Sequence, residues 1–306
     1  MSALGARATS PLSGADAATP PAKIRCLIID GVNNHHWQAT TKATKATLLA
    51  TGRFTVDVST SPAKDADPEA WAQWKPEFAK YQLVVSNFND GGHCLWSEQT
   101  KHAFVSFVKA GGGFVPIHAA DNSSSDWPEY NEMIAVGGWG GRKPATHGSL
   151  LRKTEKGWGA DQAPKGGSGG HGPRWAFPVR AEKPDHPILK GLPKLWMHGN
   201  DELYNSLRGP CENVTVLASS PSKATGTDEP MAMLITYGRG RVFHLPLGHV
   251  GGPQDVQAVH CVGFQTLLAR GAEFVATGSV TLPIPADFPT AEAVSIVPPA
   301  EVIWEP

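Results

Sequence analysis

Gly111-Gly112-Gly113-Phe114-Val115-Pro116-Ile117-His118 sets a histidine at the end of a short apolar run, just after glycines that release the chain from a helical pattern. A run of that length reads as one buried strand. In open α/β sheets ligands bind beyond the carboxyl ends of strands, where some folds hold a nucleophile on a tight strand-to-helix turn. A histidine there carries neither thiol nor hydroxyl, so its chemistry is proton transfer or metal ligation. The bland alternative is a buried ring bonded to a backbone carbonyl.

Other residues of the same kind recur at strand ends. His35 and His36 follow a first apolar run, His249 follows a late one, and Asp90 follows a third strand. Asp201 and Glu202 are adjacent acids leading Tyr204, with Trp196 and His198 just before them. His147 follows the glycine-rich turn 137–142. His118, Glu202, His249 and His36 are the catalytic candidates; His35, Asp90, His147, Asp201 and Tyr204 are the substrate-binding ones. Two adjacent histidines on an extended loop point in different directions, so at most one of His35 and His36 faces the pocket. His93, His102, His171, His186, His198, His244 and His260 read as structural or exposed.

Two mechanisms suit this set. Neutral imidazoles with a carboxylate would hold one divalent metal ion, for which His36, His118 and His249 are the candidate ligands. The same groups without metal would act as general acid and base. Glu202 alone does not supply ordinary glycoside hydrolysis, which takes two carboxyls at a set separation.

The elements that must position these residues alternate. Strands are expected at 24–30, 54–58, 83–86 and 114–117, and helices at 40–51, 68–80 and 97–109, each helix bounded by caps such as Gly52, Asp67 or Ser97. Strand and helix in alternation predict a parallel, doubly wound sheet. Further strands are expected at 175–180, 214–218, 231–237 and 240–245, the last two joined by Gly238-Arg239 as a hairpin. A closing helix spans 256–270. One domain over 23–278 is the simplest organisation, with an unstructured leader at 1–22, a glycine-rich loop or lid near 157–173 and a proline-rich tail at 279–306.

Twenty-seven basic and 28 acidic residues nearly cancel, with no block of one sign, which argues against nucleic acid as a partner. Twelve histidines and ten tryptophans fit a polar substrate, with flat rings for sugars to pack on. The cysteines, Cys26, Cys94, Cys211 and Cys261, form no C-x-x-C pair. The segment 166–172 lacks the strand and lysine of a phosphate loop, so no nucleotide cofactor is indicated. No run is long enough for a membrane span. The chain reads as cytoplasmic as it stands, or periplasmic where a signal peptide has been removed. A homo-oligomer is the expected partner state beyond the small-molecule substrate.

Taken in order, several landmarks resemble the ThuA-like (trehalose utilisation) family of the class I glutamine amidotransferase-like superfamily. They are Gly31-Val32-Asn33-Asn34-His35-His36, Gly111 to His118, Gly137-Gly138, His186-Pro187-Ile188, Asp201-Glu202-Leu203-Tyr204, Gly238 to Phe243 and Leu247-Gly248-His249. The resemblance implies a flavodoxin-like sheet in which histidine replaces the amidotransferase cysteine, as His118 does. Without that thiolate the amidotransferase route is closed. It also implies sugar catabolism, specifically cleavage of glycosides or disaccharides oxidised at the 3-position, such as 3-keto-trehalose. By position, the loop histidine (His35 or His36), His118, Glu202 and His249 match the family's recurrent polar residues, and His147 a less regular one. A non-catalytic carbohydrate-binding module and a metal-dependent sugar isomerase are the competing expectations. The 157–173 insert and the tail depart from the family pattern.

Overall fold

β1 (Ile24–Asp30) is apolar almost throughout because both of its faces are covered. Cys26 and Ile28 enter one hydrophobic core and Leu27 and Ile29 the other, as the two-residue period of a strand requires. The strand Leu83–Ser86 repeats this division with Leu83 and Val85 against Val84, and the strand Gly113–Pro116 with Val115 against Phe114. The structure, a computed structural model, describes residues 22–162 and 166–305. Most of the expected leader therefore lies outside the described residues.

α1 (Trp37–Ala50) buries Thr40, Ala43, Thr44, Thr47 and Leu48, one stripe at helical spacing. It begins three residues earlier than expected, because the ring of His36 caps it. β2 (Phe54–Thr60) follows. α2 (Pro68–Gln73) is capped by Asp67 as expected but stops early. Pro76 cannot continue a helix, so the expected run to Lys80 resumes only as a 3-10 turn at Phe78–Lys80. β3 (Leu83–Ser86), α3 (Glu98–Lys109, capped by Ser97) and β4 (Gly113–Pro116) stand close to their predicted places.

After β4 come α4 (Pro128–Ile134), α5 (Pro144–His147), β5 (Ser149–Thr154) and β6 (Gly157–Asp161). The β5–β6 hairpin corrects the reading of 157–173 as loop throughout. Thr154 pairs with Gly157 across a two-residue turn, and Gly157 takes the positive φ of +100° that this turn requires. The chain continues through β7 (Trp175–Ala181), β8 (Leu195–Asp201), β9 (Arg208–Gly209), β10 (Val214–Pro221), β11 (Asp228–Tyr237) and β12 (Gly240–His244). β11 and β12 form the expected hairpin, with Tyr237 opposite Gly240. β8 was not expected; polar residues and Gly199 interrupt its apolar alternation.

The main sheet has nine strands in the order β2-β1-β3-β4-β12-β11-β10-β7-β8. The first five run parallel, in a flavodoxin-like order, and the remaining pairings are antiparallel. β6-β5-β9 is a small second sheet. The α/β, doubly wound architecture is thus the one expected, extended on one side.

The closing helix is two helices, α6 (Gln257–His260) and α7 (Val262–Thr277). Cys261 between them is extended because it bridges to Ile296 of the tail. The described part of the tail is stitched to the body. Glu273 accepts from the backbone N–H groups of Thr281 and Leu282, and Met197 donates to Thr290. Leu282, Pro299 and Val302 are buried.

Candidate active site

Four strand-end loops meet at one edge of the parallel sheet, and they deliver three histidines. His118 follows β4. Its backbone is left-handed, with φ +46°, a conformation that a non-glycine residue adopts at a cost of about 1–3 kcal/mol. The main-chain N–H of His118 donates to Leu245 and its Nδ1 to the Pro246 carbonyl, both at 2.8 Å. A carbonyl only accepts, so Nδ1 carries a proton and Nε2 is the atom aimed at the site. That Nε2 is buried without a hydrogen-bond partner and lies 3.5 Å from Glu202 Oε2. The ring stacks on Tyr204 with centroids 4.2 Å apart.

His35 follows β1, its backbone N–H donating to Asn33 Oδ1. Its Nε2 is 3.7 Å from Glu202 Oε2, and its ring centroid lies 4.9 Å from that of His118 and 4.8 Å from that of His249. His249 follows β12, with Nε2 3.2 Å from Glu202 Oε1. Arg174 reaches its Nδ1 at 3.2 Å and also pairs with Asp255. A guanidinium only donates, so Nδ1 of His249 accepts and its Nε2–H faces Glu202. His118 and His249 therefore present opposite faces of the same ring chemistry, a lone pair and a proton.

Glu202 is the common partner. It is placed by its neighbour Asp201, which is fully buried and accepts from His198 Nε2 (2.8 Å), Gly248 N (2.8 Å), His249 N (3.0 Å) and Glu202 N (2.7 Å). One carboxylate thus ties the end of β8 to the 248–249 loop. Gly248 is required there: its φ is +116° and a Cβ would meet the Phe264 ring at 2.8 Å.

Burial alone would raise the Glu202 carboxyl, but the hydrogen-bonding reach of His118 and His35 and the nearby imidazole charge hold it far below the usual range. Burial lowers His35. Burial, followed by the charge of His118, pushes His249 down to about 4. Burial also acts to lower His118, yet Glu202, the charge of Asp201 and the Pro246 carbonyl outweigh it and raise that ring. The cluster is therefore a carboxylate with one readily protonated histidine and two that stay neutral.

Not every expected residue comes here. His36 caps α1, its Nδ1 accepting from Ala39 N at 3.2 Å, so His35 replaces it in the pocket. Asp90 is buried and spent on its own loop, accepting from Gly92 N, Ser124 N and Ser124 Oγ. His147 sits on α5, bonded to Thr146 and to the Ser125 carbonyl, and lines a different cavity with Pro210. Asp201 faces the fold, not the cavity. Tyr204 does line it.

The sequence reading missed His171, whose Nε2 is 3.7 Å from Glu202 Oε1. It also missed the amides Asn33, Asn34, Asn89 and Asn122 and the Trp139 ring, which wall a cavity of about 430 Å³. The signal available for His171 was the one used for His118, a histidine among glycines. Among the described residues, His35, Glu202 and His249 form the set that could hold a metal ion, their ligand atoms all within 4.8 Å of one another. Two imidazoles and a carboxylate suit a divalent transition metal; His35 and Glu202 stand in this set where His36 and His118 were expected. No helix among the described residues is long and apolar enough to cross a membrane.

The model of the ThuA family, described as trehalose utilisation, matches residues 25–275. A crystal structure of a ThuA-like protein from Parabacteroides merdae is 38% identical, with a TM-score of 0.85, over 91% of this chain and 99% of that one. A ThuA-like protein from Bacteroides uniformis, 19% identical with a TM-score of 0.55 over 88% of this chain and 97% of that one, shares the fold. No curated protein matches.

Proposed function

The chain belongs to the ThuA (trehalose utilisation) family, and from that premise we propose that it is a sugar-catabolic enzyme that cleaves a 3-keto-glycoside by elimination and hydration. The observation that carries this reading is the convergence of four histidine Nε2 atoms on Glu202, each within 3.7 Å, beside an amide-lined cavity. That arrangement is rich in proton-transfer groups, and among the described residues its lining holds no serine or cysteine nucleophile.

A 3-keto group acidifies the hydrogen on C2. His118 Nε2, its lone pair fixed by the Nδ1 bond to Pro246, takes that proton, and the electron pair becomes an enolate at the ketone oxygen. The Nε2–H of His249 faces that oxygen as a donor. The C1–O bond then breaks with its electrons on the departing oxygen, which takes the proton now held by His118. Water next adds its hydroxyl to C1 and passes its remaining proton through His118 to C2, which leaves His118 neutral again. The balance is one water consumed and one glycosidic bond cleaved. A divalent ion on His35, Glu202 and His249 would polarise the ketone in place of the His249 Nε2–H, since that nitrogen must give up its proton to ligate.

Incubation with 3-keto-trehalose or a 3-keto-glucoside, with and without added divalent ions, tests this by product analysis. Release of the free second half is expected, and its loss in His118→Ala. A rearranged, intact sugar would mean an isomerase instead, and unchanged ligand under every metal condition a binding module.

A further inference from the structure

Glu202, Leu203 and Tyr204 follow one another directly after β8, and their side chains part company. Glu202 and Tyr204 line the amide-walled cavity, whereas Leu203 lines a second one of about 290 Å³. His171 borders both cavities. The two chambers thus share a partition made of His171 and the 202–204 segment, with the reactive carboxylate on its inner side.

The chambers differ in kind. The inner one is walled by four side-chain amides, with the Asn122 Oδ1 buried and unpartnered, beside Glu202 and its histidines. The outer one is walled by Pro173, Trp175, Leu203 and Ala224, with Ser222, Lys223 and the shared His171 as its polar members. The Ser222 hydroxyl already accepts from Thr225 N. The Lys223 ammonium lies 3.9 Å from the centre of the Trp175 ring. A second sugar would leave most of its hydroxyls unpaired against such walls, which costs affinity. A flat apolar group would not.

We propose that the outer chamber is the subsite for the leaving half of the substrate, and that it selects an aromatic aglycone, so that the preferred substrates are aryl 3-keto-glycosides. This rests on the glycoside-cleaving reading above. When the C1–O bond breaks, its electron pair passes to a phenolic oxygen, and among the described residues Lys223 supplies a fixed cation in the outer wall for such an anion.

The test compares the 3-keto derivatives of 4-nitrophenyl glucoside and methyl glucoside. Wild type is expected to show kcat/KM at least about tenfold higher for the aryl substrate, worth about 1.4 kcal/mol; the better 4-nitrophenolate leaving group contributes to that ratio, so the subsite is read from the part the variants remove. Trp175→Ala and the exposed Lys223→Gln should erode that preference while leaving the methyl compound unchanged. Equal loss on both substrates, or no preference in wild type, would overturn the subsite. Calorimetric binding of the unoxidised 4-nitrophenyl and methyl glucosides supplies a readout without turnover. An aryl advantage there that Trp175→Ala or Lys223→Gln removes, with no cleavage of any 3-keto compound, would sink the reaction and keep the subsite. Cleavage without an aryl advantage would do the reverse.

Discussion

The parallel half of the sheet and its antiparallel extension feed the same site by different means. In the parallel half, His35, His118 and His249 each sit on a loop leaving a strand's carboxyl end, and the sheet itself brings those loops together. The extension has no such rule. β8 is the outermost strand, yet Glu202 at its end reaches the centre of the cluster. It does so because Asp201, wholly buried, spends both oxygens on backbone groups of the 248–249 loop, on His198 and on Glu202 N. Where topology does not deliver a residue, a dedicated anchor must.

That contrast is easiest to break at Glu202. Glu202→Gln should lower turnover about 10³-fold, within the range of acid–base groups, with little change in melting temperature; activity within tenfold of wild type would remove Glu202 from the centre. Asp201→Asn should act on the fold first. Withdrawing one member of a buried pair costs about 3–5 kcal/mol, read by denaturant unfolding, and a stability near wild type would show that no anchor is needed.

A third measurement uses pH. The folded His249 ring titrates at about 4 against an ordinary 6.5, so the unfolded chain binds the proton more tightly. This group's contribution is complete above pH 6.5 and is lost as pH falls toward 4, by at most about 3 kcal/mol. His249→Gln should flatten that part of the stability curve, and an unchanged slope would refute the buried neutral ring. Smallest is His36→Ala, expected to cost about 1 kcal/mol through the lost cap with catalysis intact. A large loss of activity there would return His36 to the pocket.

Much of the parallel half was legible because its strands are buried on both faces and its helices carry caps. His118 and His249 could be read from strand ends alone. The choice between His35 and His36 could not, since it turns on which ring reaches Ala39 N. The pair Asp201-Glu202 was visible as a pair, but its division of labour depends on loops 47 and 48 residues further along the chain. His171 was lost because the glycines around it read as plain loop. They fold instead as a strap whose Gly169 and Gly170 bond to Ser206 and Asn205.

The left-handed turn at His118 has a further consequence. Glycine adopts φ +46° without penalty, so His118→Gly should fold at least as well as His118→Ala while leaving a ring-shaped slot between Tyr204 and the Pro246 carbonyl. Free imidazole has the shape and the donor to fill that slot. Chemical rescue of His118→Gly by millimolar imidazole, absent in a variant lacking Glu202, would make the missing side chain a diffusible reagent.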